Sequence, residues 1–360
     1  MKMNRNKLLG TALVVLSLLV IATTQLSAVN ASTNASGATL SVGGGPYGIA
    51  VNPNTNTVYV SNSQTNSLTV IDGSTDTILA NVAVGGPLTG VDVNPNTNKV
   101  YVGNTGAQIV NVIAGASYAL EATIGVGSDP AAVTVNPNTN MIYVTALSTN
   151  DLAVLSGASN TLVSRIPVGI SPEGVAVNPI TNMIYVTNAQ SSSVSVVDGS
   201  QRRVVATITV GARPTGIVVD PENNMVYIAN AQSNTVSVMD ESNLVVETTI
   251  AVPGAPSGIA FNPTTNRIYV TGFSSNTITV IDGSTNTVVG QLSVGSNPIG
   301  VAYDPANNEV YVSNFGSGSV SVIQGEVAVP EFPISIALLL PSILGLALFT
   351  VRKQRRTSPQ

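Results

Sequence analysis

Cysteine, histidine and tryptophan are absent from the 360 residues, and charged residues make up only 9% of them. Without cysteine the chain can form no disulfide, thiolate nucleophile or cysteine-bound metal centre. Without histidine it lacks the commonest general base and the commonest transition-metal ligand. These absences exclude large classes of active site, and the sequence predicts no catalytic residue, no metal site and no cofactor.

Positive charge is scarce in the body of the chain. Seven of the 13 Lys and Arg residues lie near the two ends, whereas 17 of the 18 Asp and Glu residues lie between residues 32 and 330. That segment therefore carries a net charge of −11. A surface of this sign repels phosphate backbones, so we expect no nucleic-acid partner.

A unit of 42 residues recurs seven times. One tyrosine marks every copy: Tyr59, Tyr101, Tyr143, Tyr185, Tyr227, Tyr269 and Tyr311. A proline and an asparagine keep the same period, beginning with Pro53 and Asn56. A unit this small cannot bury a core alone, so the copies must stack into one body.

Each copy predicts four short strands joined by turns. In the first copy the strands cover 48–52, 57–61, 67–71 and 78–84. Pro53 favours a turn after the first strand, and Asn56 tolerates the left-handed conformation that closes it. Four short strands in a unit of about 40 residues are typical of a propeller blade. The sequence thus predicts an all-β fold, a seven-bladed β-propeller of four-stranded blades over residues 32–326.

The seventh copy ends before a fourth strand of its own. Residues 38–42 precede the first copy and resemble the fourth strand of the sixth, at 290–294. We therefore expect the N-terminal strand 38–42 to complete the last blade, which closes the ring and removes two exposed sheet edges.

The two ends carry targeting patterns. Residues 1–31 combine a basic start, an apolar run and small residues, as a secretory signal peptide does, although an uncleaved anchor is the alternative. A linker at 327–333 leads to an uncharged run at 334–351, which predicts a transmembrane helix. The basic tail 352–360 favours a cytoplasmic C-terminus. We expect a protein at the cell surface or outside the cell, anchored in the membrane by its C-terminal segment.

The tyrosine motif reads YVSN at Tyr59, YVGN at Tyr101, YVTN at Tyr185 and YIAN at Tyr227. This chain resembles the YVTN-repeat β-propeller family across residues 38–326. The resemblance implies a propeller fold on secreted or surface-layer proteins of prokaryotes, and it carries no catalytic residues to transfer. The C-terminal segment, from Pro330-Glu331-Phe332 to the arginine cluster, resembles the PEF-type sorting signal of archaeal surface proteins. That likeness implies removal by a sortase-like protease, whereas the simpler interpretation is permanent anchoring.

Residues that recur in every copy have structural explanations. The glycine row that begins at Gly48 suits blades crowded around one axis. The tyrosine row suits packing between adjacent blades. The aspartates of the row that begins at Asp72 suit Asp-Gly turns better than calcium loops, which need several oxygen ligands within one loop.

Residues that differ between copies are the better candidates for binding. Tyr47, Glu173, Arg213, Phe273 and Phe315 lie in loops that share one face of a propeller, and aromatic and Arg side chains are frequent binding anchors. Ordinary surface variation is the competing interpretation. Asp92 is also exceptional, in a row that otherwise lacks acids, and its carboxylate faces either channel water or a cation.

The leading function is a non-enzymatic surface propeller for binding, adhesion or envelope structure. Its expected partners are envelope or surface-layer proteins or glycans. The alternative is a metal-dependent hydrolase or lactonase-like propeller with its active site in the central channel. A third class, a subunit of a respiratory or copper-linked complex, reduces to a docking role because the chain lacks Cys and His.

Overall fold

The computed structural model describes residues 33–34, 37–127 and 129–325. The predicted signal peptide (1–31), linker (327–333), membrane helix (334–351) and basic tail (352–360) lie outside these residues. In the ranges that are described, no helix is long and apolar enough to cross a membrane.

The described chain consists of short strands joined by turns. Two strands precede the repeats: β1 (Thr33–Asn34) and β2 (Thr39–Ser41). The strands of the first four copies are β3 (Pro46–Asn52), β4 (Thr57–Asn62), β5 (Ser67–Asp72), β6 (Thr77–Ala83), β7 (Leu88–Asn94), β8 (Lys99–Asn104), β9 (Ile109–Ala114), β10 (Leu120–Gly125), β11 (Pro130–Asn136), β12 (Met141–Ala146), β13 (Asp151–Ser156), β14 (Thr161–Pro167), β15 (Pro172–Val177), β16 (Met183–Asn188), β17 (Ser193–Asp198) and β18 (Arg203–Thr209). Those of the last three copies are β19 (Pro214–Asp220), β20 (Met225–Asn230), β21 (Thr235–Asp240), β22 (Val245–Ala251), β23 (Pro256–Asn262), β24 (Arg267–Gly272), β25 (Thr277–Asp282), β26 (Thr287–Ser293), β27 (Pro298–Asp304), β28 (Glu309–Asn314) and β29 (Ser319–Gln324).

These strands form seven sheets, one for each copy, and the four blade strands of each sheet pair antiparallel. The seventh sheet takes its outer strand from the other end of the repeats, because β2 pairs antiparallel with β29. The first strand of every blade contacts the first strands of both neighbours, and β27 contacts β3. The ring is therefore closed. The predicted seven-bladed propeller of four-stranded blades is confirmed.

One further strand was not expected. β1 pairs parallel with β26, so that the sheet of blade six has five strands. The pairing covers two residues, with Thr33 opposite Leu292 and Asn34 opposite Ser293.

Burial follows the position of a strand within its blade. Every residue of β4 is buried, because the second strand is covered by a neighbouring blade on each face. The outer strand β18 alternates between exposed and half-buried residues along its length. A continuous apolar pattern thus marks inner strands, and an alternating pattern marks the strand at the rim.

The tyrosine row forms the centre of each interface between blades. All seven side chains are at most 1% exposed. Tyr59 of blade one packs with Leu88 and Val91 of blade two, and Tyr311 of blade seven packs with Ile49 of blade one. The predicted role of these tyrosines in core packing is confirmed.

The asparagine row serves both the turn and the contact between blades. All seven asparagines have a positive φ, as the sequence predicts, and Asn98 has a φ of 52°. The Asn98 side chain also accepts a hydrogen bond from the buried Asn52 of the preceding blade, at 2.8 Å. The same bond recurs from Asn94 to Asn140 and from Asn136 to Asn182. One residue therefore closes a hairpin and links two sheets.

Candidate binding site at the channel mouth

The first strands of the blades surround a cavity of about 240 Å³ at one end of the central channel. We call this end the mouth face; there each first strand begins and each second strand ends. Residues at the same positions of successive blades line the cavity. The position after the first-strand proline contributes Tyr47, Ala131, Glu173, Thr215, Ser257 and Ile299.

The glycine row lets the blades approach one another around this cavity. A Cβ added at Gly48 would lie 2.7 Å from the carbonyl oxygen of Thr89 in the next blade. One added at Gly300 would lie 2.5 Å from the carbonyl oxygen of Tyr47. Real Cβ atoms do not approach backbone this closely, so these positions accept only glycine without a shift. The structural explanation of the row is confirmed.

Thr215 lines the cavity but its hydroxyl serves the contact between blades. Its Oγ1 lies 3.1 Å from the carbonyl oxygen of Pro256 and 3.2 Å from that of Ser257, both in the next blade. A hydroxyl used in this way is not free for a ligand. Among the polar side chains that line the cavity, those of Tyr47, Glu173 and Ser257 remain available to a ligand.

Tyr47 and Glu173 come from opposite sides of the ring. Tyr47 belongs to blade one and Glu173 to blade four, yet both line the cavity. Arg213, at the start of blade five, lies 3.7 Å from the Glu173 carboxylate. The sequence predicts that these three residues share one surface. In the structure Tyr47 and Glu173 line one cavity, and Arg213 lies beside Glu173.

Burial dominates the electrostatics of this group. Burial raises the pKa of the Tyr47 phenol, the negative charge of Glu173 raises it further, and Arg213 opposes both. Burial also raises the pKa of Glu173, and Arg213 acts against that rise. The raised pKa of Glu173 shows that its carboxylate loses more hydration than the guanidinium replaces.

Phe273 and Phe315 also lie on the mouth face but outside the lining of the cavity. They occupy the loops after β24 and β28, in blades six and seven. Asn297 joins the two loops: its Nδ2 donates to the Phe273 carbonyl oxygen at 3.2 Å, and its own carbonyl oxygen accepts from the Phe315 N–H at 3.1 Å. Phe273 is 37% exposed, and Phe315 is half-buried.

Asp92 forms a link between blades two and three. One carboxylate oxygen accepts from the Val93 N–H at 2.8 Å, and the other accepts from the Val135 N–H of blade three at 2.7 Å. Burial raises its pKa to about 6. The sequence offered channel water or a cation as partners; the structure instead shows backbone donors on both oxygens, which only tertiary packing could reveal.

The remaining acidic candidates serve turns. Asp72 Oδ1 accepts from the Ser74 N–H at 2.8 Å, and Asp198 and Asp282 make the same bond with Ser200 and Ser284. The turn interpretation of this row is confirmed. Throughout the described ranges, no three Asp or Glu side chains form a group that could hold a metal ion.

The chain is similar to known β-propeller proteins. A family model described as YNCE-like beta-propeller matches residues 9–307. The chain belongs to the YNCE-like β-propeller family. A solved chain of Kuenenia stuttgartiensis hydrazine synthase is similar to it, with 20% identity and a TM-score of 0.73. The match covers 84% of this chain and 99% of that chain. No curated protein matches this sequence.

Membership of the YNCE-like β-propeller family agrees with the YVTN-type motif and with the number of blades. The likeness to the hydrazine synthase chain shows the fold alone, since identity is low. The fold of this YNCE-like propeller does not by itself imply a function, which depends on the residues at the mouth face.

Proposed function

We propose that this protein is a non-enzymatic binding module at the cell surface, and that its partner binds to the mouth face. The partners that suit this role are proteins or glycans of the envelope or a surface layer. The observation that carries the proposal is that Tyr47 and Glu173 line one cavity, with Arg213 3.7 Å from the Glu173 carboxylate. Neighbouring copies have small or apolar side chains where these three stand, so the ring does not require them.

The two phenylalanines extend the proposed contact area. Large exposed aromatic side chains in loops are costly to keep in water and are frequent anchors at protein interfaces. Asn297 fixes the backbone of both loops, so little ordering remains to oppose binding. Blades six, seven and one are neighbours in the ring, which puts Phe273, Phe315 and Tyr47 in adjacent sectors of the same face.

The proposed placement rests on the two ends of the sequence. An apolar N-terminal run and an uncharged C-terminal run followed by arginines favour export and a C-terminal anchor. External protease applied to intact cells should remove the repeats and leave the tail protected. Protein recovered from the cytoplasm would contradict this placement. A mature C-terminus near Pro330, found by mass spectrometry, would favour the sorting signal over the permanent anchor.

The test of binding uses the full-length protein and a preparation of the native envelope. Replacing Phe273 and Phe315 together by Ser should weaken capture of envelope components by about tenfold or more, because each anchor contributes over about 1 kcal/mol. Phe273→Ser alone should change the free energy of unfolding little, since exposed loop substitutions usually stay within about ±0.5 kcal/mol. The half-buried Phe315 adds a modest loss of stability, which the melting temperature of the double variant measures.

A control variant lies on the opposite face. Ile180, between β15 and β16, is 71% exposed and belongs to a turn at the far end of blade four. Ile180→Ser removes a comparable apolar surface there and should leave capture unchanged. If capture of envelope components falls equally in both variants, capture depends on general surface polarity. The proposed binding site at the mouth face would then be wrong.

A hydrolase or lactonase-like function would need metal-binding carboxylates in the channel. Both oxygens of Asp92 already accept backbone hydrogen bonds, which supports binding over metal chemistry. Metal analysis of the purified protein separates the two functions. One bound metal ion per chain would overturn the proposal.

A further inference from the structure

The Glu173 carboxylate is a partly buried anion paired with Arg213 at a distance that leaves no direct hydrogen bond. Its side chain is 28% exposed, and its distance to Arg213, 3.7 Å, is too long for a hydrogen bond. Within the described part of the chain, Arg213 is the cation that acts on it, and burial still raises its pKa. A carboxylate in this state gains from a donor that can approach more closely.

Arg213 is poorly suited to be that donor. Its side chain is 62% exposed, so most of the guanidinium remains in water. Exposed ion pairs of this kind contribute little and are easily exchanged. A second cation that enters the cavity can therefore take the place of Arg213 at modest cost.

Tyr47 supplies the second half of a cation site. Its phenol ring lines the same cavity, and its pKa responds to the charges of both Glu173 and Arg213. An aromatic face beside a carboxylate attracts ammonium and guanidinium groups through the ring quadrupole. The cavity, at about 240 Å³, has room for one such side-chain end rather than a large ligand.

The negative net charge of the repeat region also favours a cationic ligand. Between residues 32 and 330 the net charge is −11, so cations are concentrated near the surface and anions are repelled. A channel mouth with one carboxylate and one aromatic ring, on an acidic body, has the chemistry of a receptor for positive charge.

We propose that the channel mouth binds a primary ammonium or guanidinium group, held between the Glu173 carboxylate and the Tyr47 ring, with Arg213 as the resident cation that the ligand displaces. This inference deepens the proposed function and rests on it. The group comes either from a Lys or Arg side chain of a protein partner or from a free amine.

The test is calorimetric titration of the full-length protein with methylammonium and with matched peptides that carry either Lys or acetyl-lysine at the centre. Binding of the Lys peptide and not of the acetyl-lysine peptide is the expected result, because acetylation removes the charge. Methylammonium binding in addition would identify a free amine as sufficient. Equal binding of both peptides would overturn the inference.

Four substitutions at three positions show which side chains hold the cation. Glu173→Gln should weaken Lys-peptide binding by about tenfold or more, since it removes the charge and keeps the shape. Tyr47→Phe should bind almost as well as the native chain, and Tyr47→Leu should bind several-fold more weakly, as a cation–π contact requires. Arg213→Gln should strengthen binding several-fold, because the competing cation is gone. A gain of affinity cannot arise from a misfolded variant.

The opposite pattern identifies an anionic ligand. Loss of binding in Arg213→Gln together with a gain in Glu173→Gln would overturn the inference. Lack of any peptide or amine binding, with envelope capture intact and sensitive to Phe273 and Phe315, would overturn it and leave the proposed function standing. If envelope capture fails while the amine pattern holds, the proposed function is wrong and the cation site remains.

Discussion

The hydroxyl of Thr89 lies where a side chain on Gly103 would have to stand. A Cβ built on Gly103 would be 2.6 Å from Thr89 Oγ1, and that oxygen donates to the Pro130 carbonyl oxygen of the next blade at 2.6 Å. In five of the other blades the residue equivalent to Gly103 carries the hydroxyl, as in Thr187, which donates to Thr215 O at 2.7 Å. Blade five has Ala229 there, and Thr215 of its first strand lies 3.1 Å from the Pro256 carbonyl oxygen instead. Blade two has moved the donor from its second strand to its first.

This exchange of donors predicts a compensating pair of substitutions. Thr89→Ala should lower the free energy of unfolding by about 1 kcal/mol, because the contact between blades loses a hydrogen bond. Gly103→Ser alone should also destabilise, because its Cβ meets the Thr89 hydroxyl. The double variant restores the arrangement of the five blades that carry the hydroxyl on the second strand. It should lose less unfolding free energy than the two single variants lose together. Denaturant unfolding of all four proteins measures this coupling, and simple additivity would show that the two residues act independently.

Asp92 predicts a specific dependence of stability on pH. The native pKa is about 6 against an ordinary value of 3.8, so the native state holds more protons than the unfolded chain between these values. The contribution of this group to the free energy of unfolding therefore falls as pH rises through that window. Asp92→Asn removes the titration. The difference in melting temperature, native minus variant, should be larger at about pH 4 than at about pH 7.5. A difference that does not change with pH would contradict the raised pKa.

The Glu241 carboxylate links blades four and five, so its removal should lower the stability of the protein. It stands where other copies have a glycine, and its carboxylate accepts from Asn178 Nδ2 and Thr181 Oγ1, each at 2.6 Å. Asn178 is fully buried. Glu241→Ala leaves that amide without its acceptor and should cost about 1–3 kcal/mol of unfolding free energy. Glu247→Ala, at an exposed position of β22, is the matched control and should be nearly neutral. Equal effects of the two variants would show that the bond between blades contributes nothing special.

Closure of the ring predicts the effect of shortening the chain. A protein that begins at residue 44 lacks β2 and loses the bonds from Val42 N to Gly318 O and from Val322 N to Ala38 O, at 3.1 and 2.8 Å. Blade seven then has an open edge, so the protein should melt at a lower temperature and aggregate more readily. A protein that begins at residue 37 loses β1 but keeps β2 and is the control. Equal melting temperatures for the two lengths would show that β2 is dispensable.

The sequence by itself determined the blades. The period of 42 residues, the proline and asparagine of each turn, and the apolar second and third strands are local patterns that repeat, so each copy reports the same structure seven times. The buried tyrosines follow for the same reason: a residue that every copy shares meets the same neighbour in every blade. The sequence also shows the candidate residues as departures from the repeat: Tyr47, Glu173, Arg213, Phe273 and Phe315.

Tertiary structure alone decided which departures act together. Tyr47 and Glu173 are three copies apart, and only the closed ring turns that separation into a shared cavity. Asp92 reaches a backbone N–H of the next blade, and Thr89 replaces a hydroxyl missing from its own second strand. None of these contacts follows from period or propensity, because each depends on the distance between neighbouring backbones around the axis. That distance is a property of the closed ring, and no single copy contains it.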